Sequence, residues 1–228
     1  MAVKFRFVCA TRATEDQFLA KTALGRSLSL YKYAMVEIRL FPANARGLPA
    51  VYNTALREAA ADPAILIFAH DDIHICDFFW PITVVAGLEA FDILGVAGNK
   101  RRVPNQPAWG FIDADFNWDR AENLSGIVGH GAGFPPSNLS VYGPPNQEVK
   151  LLDGAMLIVR SETLTSKGIG FDERFDFHFY DLDFCRQAEL RNLRMGTCSL
   201  SAVHESKGSG ATPAWQAAYR RYLEKWGS

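Results

Sequence analysis

Two histidines and two aspartates follow a short apolar run in the first third of the chain. The run covers residues 65–68, ILIF, and the polar residues after it are His70, Asp71, Asp72 and His74. A run this short and this β-prone predicts a strand that is buried on both faces, as in a parallel sheet. Adjacent carboxylates at the end of a buried strand are costly unless something compensates their charge.

Two interpretations of these polar residues stay open. Ligands of open α/β sheets bind at the C-terminal edge of the strands, so a hard divalent cation held by carboxylate oxygens is the first. The second is an Asp-rich turn in which Asp72 caps a short following helix. The residues alone do not decide between the two.

Strand and helix patterns alternate along the rest of the chain. The predicted strands cover residues 4–10, 36–41, 91–98, 151–160 and 195–203, in addition to 65–68. The predicted helices cover residues 14–31, 49–62, 77–90, 182–192 and 213–226, with one helical turn at 161–166. Thr14 and Gln17 fit a capping box at the start of the first helix. This alternation predicts right-handed crossovers and an α/β fold, with a mainly parallel, Rossmann-like central sheet flanked by helices.

Residues 99–150 have a different character. Gly and Pro are frequent there, the periodicity is weak, and Trp109 and Trp118 interrupt it. We expect a long irregular excursion with short strands, such as residues 110–113. A loop of this length inside a compact domain is usually functional or mobile.

The composition fits one large domain, or one domain with a small elaboration. The chain has 228 residues, 48% of them hydrophobic, which suffices to bury a full core. A formal net charge of −1 gives no broad basic field, so we expect no nucleic-acid partner. No apolar run approaches a membrane-spanning length and the N-terminus lacks a signal-peptide pattern, so we expect a cytoplasmic protein. The scattered cysteines are expected to be reduced thiols: Cys9, Cys76, Cys185 and Cys198.

Three separated segments together resemble the family-2 glycosyltransferases of the GT-A fold. They are HDDIH at 70–74, the stretch 152–188 that runs from LDGAMLIVR through GFDERF to FHFYDLDFCRQA, and VHES at 203–206. The likeness is greatest to a bacterial glycosyltransferase-like subgroup with HFYD-type sequences, and it covers nearly the whole chain in order. It implies a nucleotide-diphospho-sugar donor, a Mn²⁺ or Mg²⁺ ion, and single-displacement transfer with inversion at the anomeric carbon.

The resemblance also implies a metal site. Asp72 matches the final carboxylate of the DxD-type motif, and His204 matches the histidine that completes the site in several GT-A enzymes. Position 70, where many members have the first Asp, is His70 here, which we expect to be structural or to act behind the ligands. Asp71 is the candidate for the second carboxylate contact. An imidazole ligand leans the preference toward Mn²⁺.

A general base is implied at Asp181, which matches the Asp of the family's Glu-Asp pair. The preceding Glu is replaced by Tyr180, which fits the HFYD subgroup. Asp183 matches the next acid and is expected to be structural. Because Asp181 lies at the start of a predicted helix, we expect its ionised form to be favoured.

Donor contacts are implied at several further positions. The end of the first strand would contact the nucleotide, and it comprises Ala10, Thr11 and Arg12. Asn44 and Asn53 match positions around the nucleotide and sugar loops, and Asp153 and Gly154 match the segment that lines the donor sugar. Trp109 could stack on a sugar face or could equally anchor the long loop. The basic triplet 100–102 could bind the diphosphate, although a solvated loop is the favoured reading.

The resemblance divides the single domain into three parts. Residues 1–98 form a nucleotide-binding half, residues 99–150 the excursion, and residues 151–228 an acceptor and catalytic half. The implied acceptor is a glycan or a lipid-linked molecule, by analogy one used in bacterial surface glycan synthesis. The protein would then work in the cytoplasm, with the inner membrane face as a further option.

Two alternatives to a glycosyltransferase stay open. A nucleotidyltransferase-like enzyme is the first, and the lack of a Gly-rich phosphate loop after Ala10 speaks against it. The second is a non-catalytic module that binds nucleotide or glycan in a degenerate GT-A site. His70 and Tyr180, where many family members carry acids, keep that alternative open.

Overall fold

A computed structural model describes residues 3–205 and 210–227. The strands are β1 (Phe5–Ala10), β2 (Val36–Phe41), β3 (Ile65–Ala69), β4 (Ile73–Ile75), β5 (Ile93–Gly95), β6 (Ala97–Asn99), β7 (Leu124–His130), β8 (Asn138–Gly143), β9 (Glu148–Val149), β10 (Leu151–Leu152), β11 (Met156–Arg160), β12 (Met195–Thr197) and β13 (Ala202–His204). The helices are α1 (Glu15–Lys21), α2 (Ala23–Leu30), α3 (Leu48–Ala59), α4 (Trp80–Ala90), α5 (Ser161–Lys167), α6 (Tyr180–Leu190) and α7 (Pro213–Trp226), with a short 3₁₀ helix at Ala121–Asn123.

The larger sheet has seven strands in the order β2-β1-β3-β11-β5-β12-β9. Strand β1 is parallel to β2 and β3, and β5 is parallel to β12. Strands β11 and β9 are antiparallel to their neighbours, so five of the seven strands run in one direction. All five residues of β3 are buried between β1 and β11, which explains the uninterrupted apolar run. The predicted α/β fold with a mainly parallel sheet is confirmed.

A second, six-stranded sheet follows the order β10-β6-β7-β13-β4, with β8 paired to β7. Three segments that we predicted as single strands each supply one strand to each sheet: 91–98, 151–160 and 195–203. Each prediction of a single strand is therefore wrong. Most residues at these crossings are buried, so the apolar pattern carries no sign of the passage from one sheet to the other. The HDDIH segment makes the same crossing from β3 to β4.

The segment 99–150 contains short strands, as expected, but not at 110–113. That stretch makes only isolated bridges, in which Phe111 pairs with Ala108 and with Trp118. The longest strands within this segment are β7 and β8, which form an antiparallel hairpin in the second sheet. Ser125, Gly126 and Gly129 interrupt the apolar residues of β7, so a search for apolar runs does not find this hairpin.

The helix predicted over 14–31 is two helices. Thr14 caps α1 through the predicted capping box with Gln17. Thr22 then accepts a hydrogen bond from the backbone N–H of Gly25 and caps α2, so the chain turns between the two helices. The remaining helices lie within three residues of their predicted starts.

The aromatic residues of α7 pack against the domain rather than face solvent as a group. Trp215 and Tyr222 are buried, and both contact the ring of Phe179. Three of the four cysteines are buried and all four are free thiols, which fits the expected reduced state.

Within residues 3–205 and 210–227, no helix combines the length and apolarity that crossing a membrane requires.

Candidate active site

Three potential metal ligands meet where the chain passes between the two sheets. His70 and Asp72 lie between β3 and β4, and His204 is the last residue of β13. One ring nitrogen of each histidine and one carboxylate oxygen of Asp72 lie within 4.8 Å of one another. The Nε2 atom of His204 is 3.4 Å from Oδ2 of Asp72. The segment that we read as either a cation site or an Asp-rich turn thus supplies two members of a ligand cluster.

Strand pairing fixes this cluster. Strand β13 is antiparallel to β4, with His204 opposite Ile73. The next residue, Glu205, donates its backbone N–H to the carbonyl of Asp72 over 2.9 Å. The backbone N–H of His70 donates to the carbonyl of Ala155 over 3.0 Å, which ties the cluster to the start of β11. The ligands are therefore held by sheet hydrogen bonds, which favours a preorganised site.

The electrostatics of the two histidines differ. Burial lowers the pKa of His70 and outweighs the neighbouring aspartates. Burial also acts to lower the pKa of His204, but the hydrogen bond and the charge of Asp72 raise it above its ordinary value overall. A metal ligand must be a neutral imidazole, so an ion would displace a proton from His204 more often than from His70.

The donor set suits a divalent transition metal. Two imidazole nitrogens and a carboxylate oxygen are ligands that Mn²⁺ and the later first-row metals accept, whereas Mg²⁺ prefers oxygen alone. We expected His70 to be structural or to support the ligands, but its ring nitrogen lies within the cluster of potential ligands. His74 is placed differently: burial and then the charge of Arg26 in α2 lower its pKa, against a hydrogen bond with the backbone of Ala23 that acts to raise it.

Asp181 lies in the first turn of α6, on the cleft beside this cluster. Its Oδ2 accepts a hydrogen bond from the backbone N–H of Gly154 over 3.1 Å, and its Oδ1 accepts one from the N–H of Leu182 over 2.9 Å. Burial and then the nearby charge of Asp153 raise the pKa of Asp181 to about 7. The expected preference for the ionised form at the helix start is wrong, because desolvation exceeds the effect of these backbone donors.

The helix that carries Asp181 begins two residues earlier than predicted, at Tyr180. The preceding Phe179 has a φ of 66°, in the left-handed region that non-glycine residues rarely adopt. Its ring is held against Trp215 and Tyr219 of α7, at centroid distances of 5.3 and 5.4 Å. Packing of α7 thus stabilises a turn that directs the next two side chains into the cleft.

Tyr180 connects the ligand cluster with the segment beside Asp181. Its hydroxyl donates to the carbonyl of Gly154 over 2.6 Å and lies 2.9 Å from Nε2 of His70. Its ring is buried against Tyr52 and Phe171. At position 180, where the resemblance implies a glutamate, the protein therefore has the neutral hydroxyl of a tyrosine.

One open cleft of about 180 Å³ contains both groups. Its polar lining includes His70, Asp72, Asp153, Tyr180, Asp181 and His204. Phe177, Phe179 and Trp215 form apolar walls around them. A mixed lining of this kind, with titratable groups at its floor, is typical of a small-molecule site.

The structure also brings together the residues proposed for the nucleotide. The hydroxyl of Thr11 donates to Oδ2 of Asp71 over 2.5 Å, across the adjacent parallel strands β1 and β3. The carbonyl of Thr11 accepts the backbone N–H of Asn44 over 2.8 Å. Ala10 and Arg12 flank Thr11, and the side chain of Arg12 is exposed. This group lies at the C-terminal edge of the larger sheet, and its member Asp71 directly precedes Asp72.

The side chains of Asn44, Asn53 and Trp109 make contacts within the protein. The amide of Asn44 closes a turn with the backbone of Arg46. The amide of Asn53 donates to and accepts from the backbone of Phe171, at 2.8 Å in both directions. Trp109 is only 9% exposed and packs edge-on against Trp118 and Tyr142, so the anchoring alternative describes it.

The basic triplet 100–102 is engaged by protein groups. Arg101 forms an ion pair with the buried Asp119, and Arg102 pairs with Glu189. Lys100 donates to the carbonyl of Glu122. These contacts attach the segment 99–150 to the rest of the domain. They differ from both interpretations of the triplet, a diphosphate site and a solvated loop.

Sequence reasoning missed the place of His70 in the ligand cluster and the contacts of Tyr180. The resemblance compares both positions with acids, so it gave no reason to expect an imidazole ligand or a hydroxyl contact there. A signal was present, because HxD at a buried strand end places an imidazole and a carboxylate near each other. The final residue of the VHES segment, Ser206, lies outside the described residues.

Comparison with known proteins adds a likeness of fold. No family model and no curated protein matches the sequence. Residues 1–349 of S. aureus TarS superpose with a TM-score of 0.54 at 16% identity, over 97% of this chain and 64% of that one. The catalytic domain of Drosophila β1,4-galactosyltransferase 7, in complex with xylobiose, gives 0.53 at 10% identity, over 96% and 80%. A197 from STIV gives 0.53 at 12% identity, over 90% and 87%.

Bound molecules are named for some of these structures. TarS has been crystallised with UDP-GlcNAc, and a variant of the Drosophila enzyme with manganese, UDP-Gal and xylobiose. This chain spans 64% of the length of the TarS fragment. Its mixed α/β architecture, with a central sheet flanked by helices, is the GT-A fold of these glycosyltransferases.

Proposed function

We propose that this chain is a metal-dependent, inverting glycosyltransferase that moves a sugar from a nucleotide-diphospho-sugar to an acceptor hydroxyl. One observation carries the proposal. The cluster of His70, Asp72 and His204 lines the same cleft as Asp181, a carboxyl whose pKa is raised to about 7. A cation site and a base that titrates near neutral pH are the two groups that this reaction requires.

The cluster would hold Mn²⁺ or Mg²⁺, with Asp72 and His204 as ligands. Such an ion neutralises the charge that develops on the diphosphate as it leaves. Asp71 and residues 10–12 would contact the nucleotide, and Asp153 and Gly154 the donor sugar. The complexes of neighbouring structures with UDP and UDP-sugars make a uridine nucleotide the first donor to test.

Asp181 would accept the proton of the acceptor hydroxyl. The acceptor oxygen forms a bond to the anomeric carbon while the bond from that carbon to the diphosphate oxygen breaks, and the nucleoside diphosphate departs with the electron pair. A single displacement of this kind inverts the configuration at the anomeric carbon. Since Asp181 is partly buried and its pKa is raised, its carboxylate is a stronger base than an exposed aspartate.

The acceptor class follows from the resemblance rather than from the cleft. We propose a glycan or lipid-linked acceptor in bacterial surface glycan synthesis, used in the cytoplasm or at the inner membrane face. Membership of family 2, in the subgroup with HFYD-type sequences, belongs to the same proposal. We also propose that residues 1–98 form the nucleotide-binding half and residues 151–228 the acceptor and catalytic half, with residues 99–150 between them.

The test is hydrolysis and transfer of UDP-sugars and GDP-sugars with Mn²⁺ or with EDTA, on wild type and Asp181→Asn. We expect slow Mn²⁺-dependent hydrolysis of one donor, reduced at least about 10²-fold in the variant, with donor affinity retained. Asp183→Asn is not a suitable control because Asp183 is fully buried. Asp115→Asn, an exposed change, is the matched control.

Two outcomes would overturn the proposal. Donor binding without turnover, and unchanged by Asp181→Asn, would indicate a non-catalytic nucleotide-binding module. Release of pyrophosphate from a nucleoside triphosphate and a sugar phosphate would indicate a nucleotidyltransferase.

A further inference from the structure

The hydrogen bonds of Tyr180 determine where its proton lies. Its hydroxyl oxygen is 2.6 Å from the carbonyl oxygen of Gly154 and 2.9 Å from Nε2 of His70. A carbonyl oxygen can only accept, so two oxygens at 2.6 Å require a proton between them. The single hydroxyl proton is therefore given to Gly154. The bond between Tyr180 and His70 must then have the ring nitrogen as its donor.

This assignment fixes the tautomer of His70. A neutral imidazole carries one N–H, and here that N–H is on Nε2. The lone pair is consequently on Nδ1. An imidazole that binds a metal uses its lone-pair nitrogen, and the other N–H is held by a hydrogen-bond acceptor. The hydroxyl of Tyr180 is such an acceptor.

Two further contacts hold His70, one through its backbone and one through its ring. Its backbone N–H donates to the carbonyl of Ala155, and its ring stacks on that of Phe177 with centroids 5.5 Å apart. One of its ring nitrogens belongs to the cluster with Asp72 and His204. The ring thus has a defined position and a defined proton.

We propose that Tyr180 is a positioning residue that holds His70 in the Nε2–H tautomer, so that Nδ1 of His70 is a third protein ligand and the site selects Mn²⁺ over Mg²⁺. This inference rests on the metal site of the proposed function. Two imidazoles and one carboxylate favour a transition metal, whereas two carboxylates and water would serve Mg²⁺ equally well. At positions 70 and 180, where the resemblance implies two acids, this protein has a neutral imidazole and a neutral hydroxyl. We infer that this pair makes the site selective for Mn²⁺.

Tyr180→Phe tests the inference, because it removes the hydroxyl and keeps the ring in the core. Tyr31→Phe is the matched control, since Tyr31 is also buried and its hydroxyl donates to the backbone carbonyl of Ile75 rather than to His70 or Tyr180. Long-range ¹H–¹⁵N correlation spectra of the histidine rings report the tautomer without any metal. Mn²⁺ affinity by electron paramagnetic resonance, and competition by Mg²⁺, report the selectivity.

We expect the wild-type and Tyr31→Phe proteins to show a His70 ring protonated on Nε2. We expect Tyr180→Phe to lose that pattern, to bind Mn²⁺ about tenfold or more weakly, and to retain its Mg²⁺ affinity. His70→Asn should narrow the preference for Mn²⁺ to the same extent. A drop in Mn²⁺ affinity without a change in the Mn²⁺/Mg²⁺ ratio would show a merely structural role and overturn the inference.

The outcomes separate this inference from the proposed function. A His70 ring protonated on Nδ1, with Mn²⁺ binding that still depends on Asp72, overturns the role of Tyr180 and leaves the transferase proposal in place. A wild-type protein that binds neither ion, with or without UDP, overturns both. Unchanged Mn²⁺ selectivity in both His70→Asn and Tyr180→Phe overturns the ligand assignment alone.

Discussion

The backbone N–H of Gly154 donates to the carboxylate of Asp181 over 3.1 Å, while the carbonyl of Gly154 accepts the hydroxyl of Tyr180. One peptide segment therefore holds both the candidate base and the residue that contacts His70. The segment lies between β10 and β11, where the chain passes from the second sheet to the first. The crossing between sheets, more than any single strand, positions the site.

The first prediction concerns Gly154→Ala. A Cβ atom at this position would lie 2.7 Å from the hydroxyl of Tyr180 and 2.8 Å from Cβ of Asp181. Both side chains must move, so we expect transfer activity to fall about 10²-fold and the free energy of unfolding to fall by about 1–3 kcal/mol. Donor turnover and urea unfolding measure the two effects.

Gly168→Ala is the control for that change. Gly168 has a φ of 61°, and a Cβ atom there would meet no atom within 4 Å. We expect about 1 kcal/mol of destabilisation from backbone strain alone and unchanged turnover. Equal losses of turnover in the two variants would show that Gly154 acts only through stability.

The second prediction concerns the pH dependence of turnover. The pKa of Asp181 is raised to about 7, mainly by burial. Because the base must be ionised, we expect the rate to fall roughly tenfold per pH unit below pH 7 and to level off above it. A profile of turnover against pH from 5 to 9 measures this. An acidic limb with its midpoint near pH 4 would mean that a solvated carboxyl, rather than Asp181, is the base.

The third prediction concerns stability and pH. An aspartate whose pKa rises on folding binds its proton more tightly in the folded state, so its contribution is present at low pH. That contribution is lost as the pH rises from about 4 to about 7, where the unfolded chain is already ionised. Removing this charge in Asp181→Asn should therefore favour the variant increasingly over the same interval, by on the order of 1–4 kcal/mol. Urea unfolding of both proteins at pH 4.5 and 8 measures the difference, and a constant difference would contradict the burial of this charge.

The fourth prediction concerns the attachment of α7. Nζ of Lys225 lies 2.6 Å from Oδ1 of the fully buried Asp183 and 2.7 Å from Oδ2 of Asp172. Lys225→Met leaves that buried carboxylate without its cation, so we expect a loss of about 3 kcal/mol in the free energy of unfolding. Arg120→Met is the control, because Arg120 and Glu122 are exposed and 3.8 Å apart, and it should cost less than about 1 kcal/mol. Similar costs for the two changes would refute the buried-charge argument.

The fifth prediction concerns Thr11. Its hydroxyl donates to Asp71 and accepts the backbone N–H of Ala13. Thr11→Val should release Asp71 and weaken UDP binding about tenfold, with Mn²⁺ affinity in the absence of UDP unchanged. Thr54→Val, which removes a hydroxyl from the surface of α3, serves as the control. Parallel loss of Mn²⁺ and UDP binding would mean that Thr11 supports the metal cluster instead.

Much of the site was predictable because strand ends carry their own sequence signal. The buried run of β3 followed by His70–Asp72 predicted a polar strand end that is either a cation site or an Asp-rich turn, and the position of His204 after an apolar run placed it at the end of a strand. The capping box of Thr14 and Gln17 predicted the start of α1. These features are local, so a single segment contains all the information they need.

Other features required contacts between distant segments. The side chain of Asn53 is occupied by the backbone of Phe171, and the raised pKa of Asp181 depends on desolvation by the whole cleft. The passage of three apolar segments from one sheet to the other leaves no trace in hydrophobic periodicity, because both sheets bury them. The sequence compares Tyr180 with an acid, and its contacts with Gly154 and His70 are formed only when these distant segments come together.

Calorimetric titration of UDP into wild type and Asp72→Ala, with Mn²⁺ and with EDTA, tests the central claim most directly. We expect UDP to bind wild type in the presence of Mn²⁺ and to bind at least about tenfold more weakly with EDTA. In Asp72→Ala the Mn²⁺-dependent part of that affinity should disappear. Equal UDP affinity in all four titrations, or no binding by the folded wild-type protein, would contradict a metal-dependent nucleotide site at the junction of the two sheets.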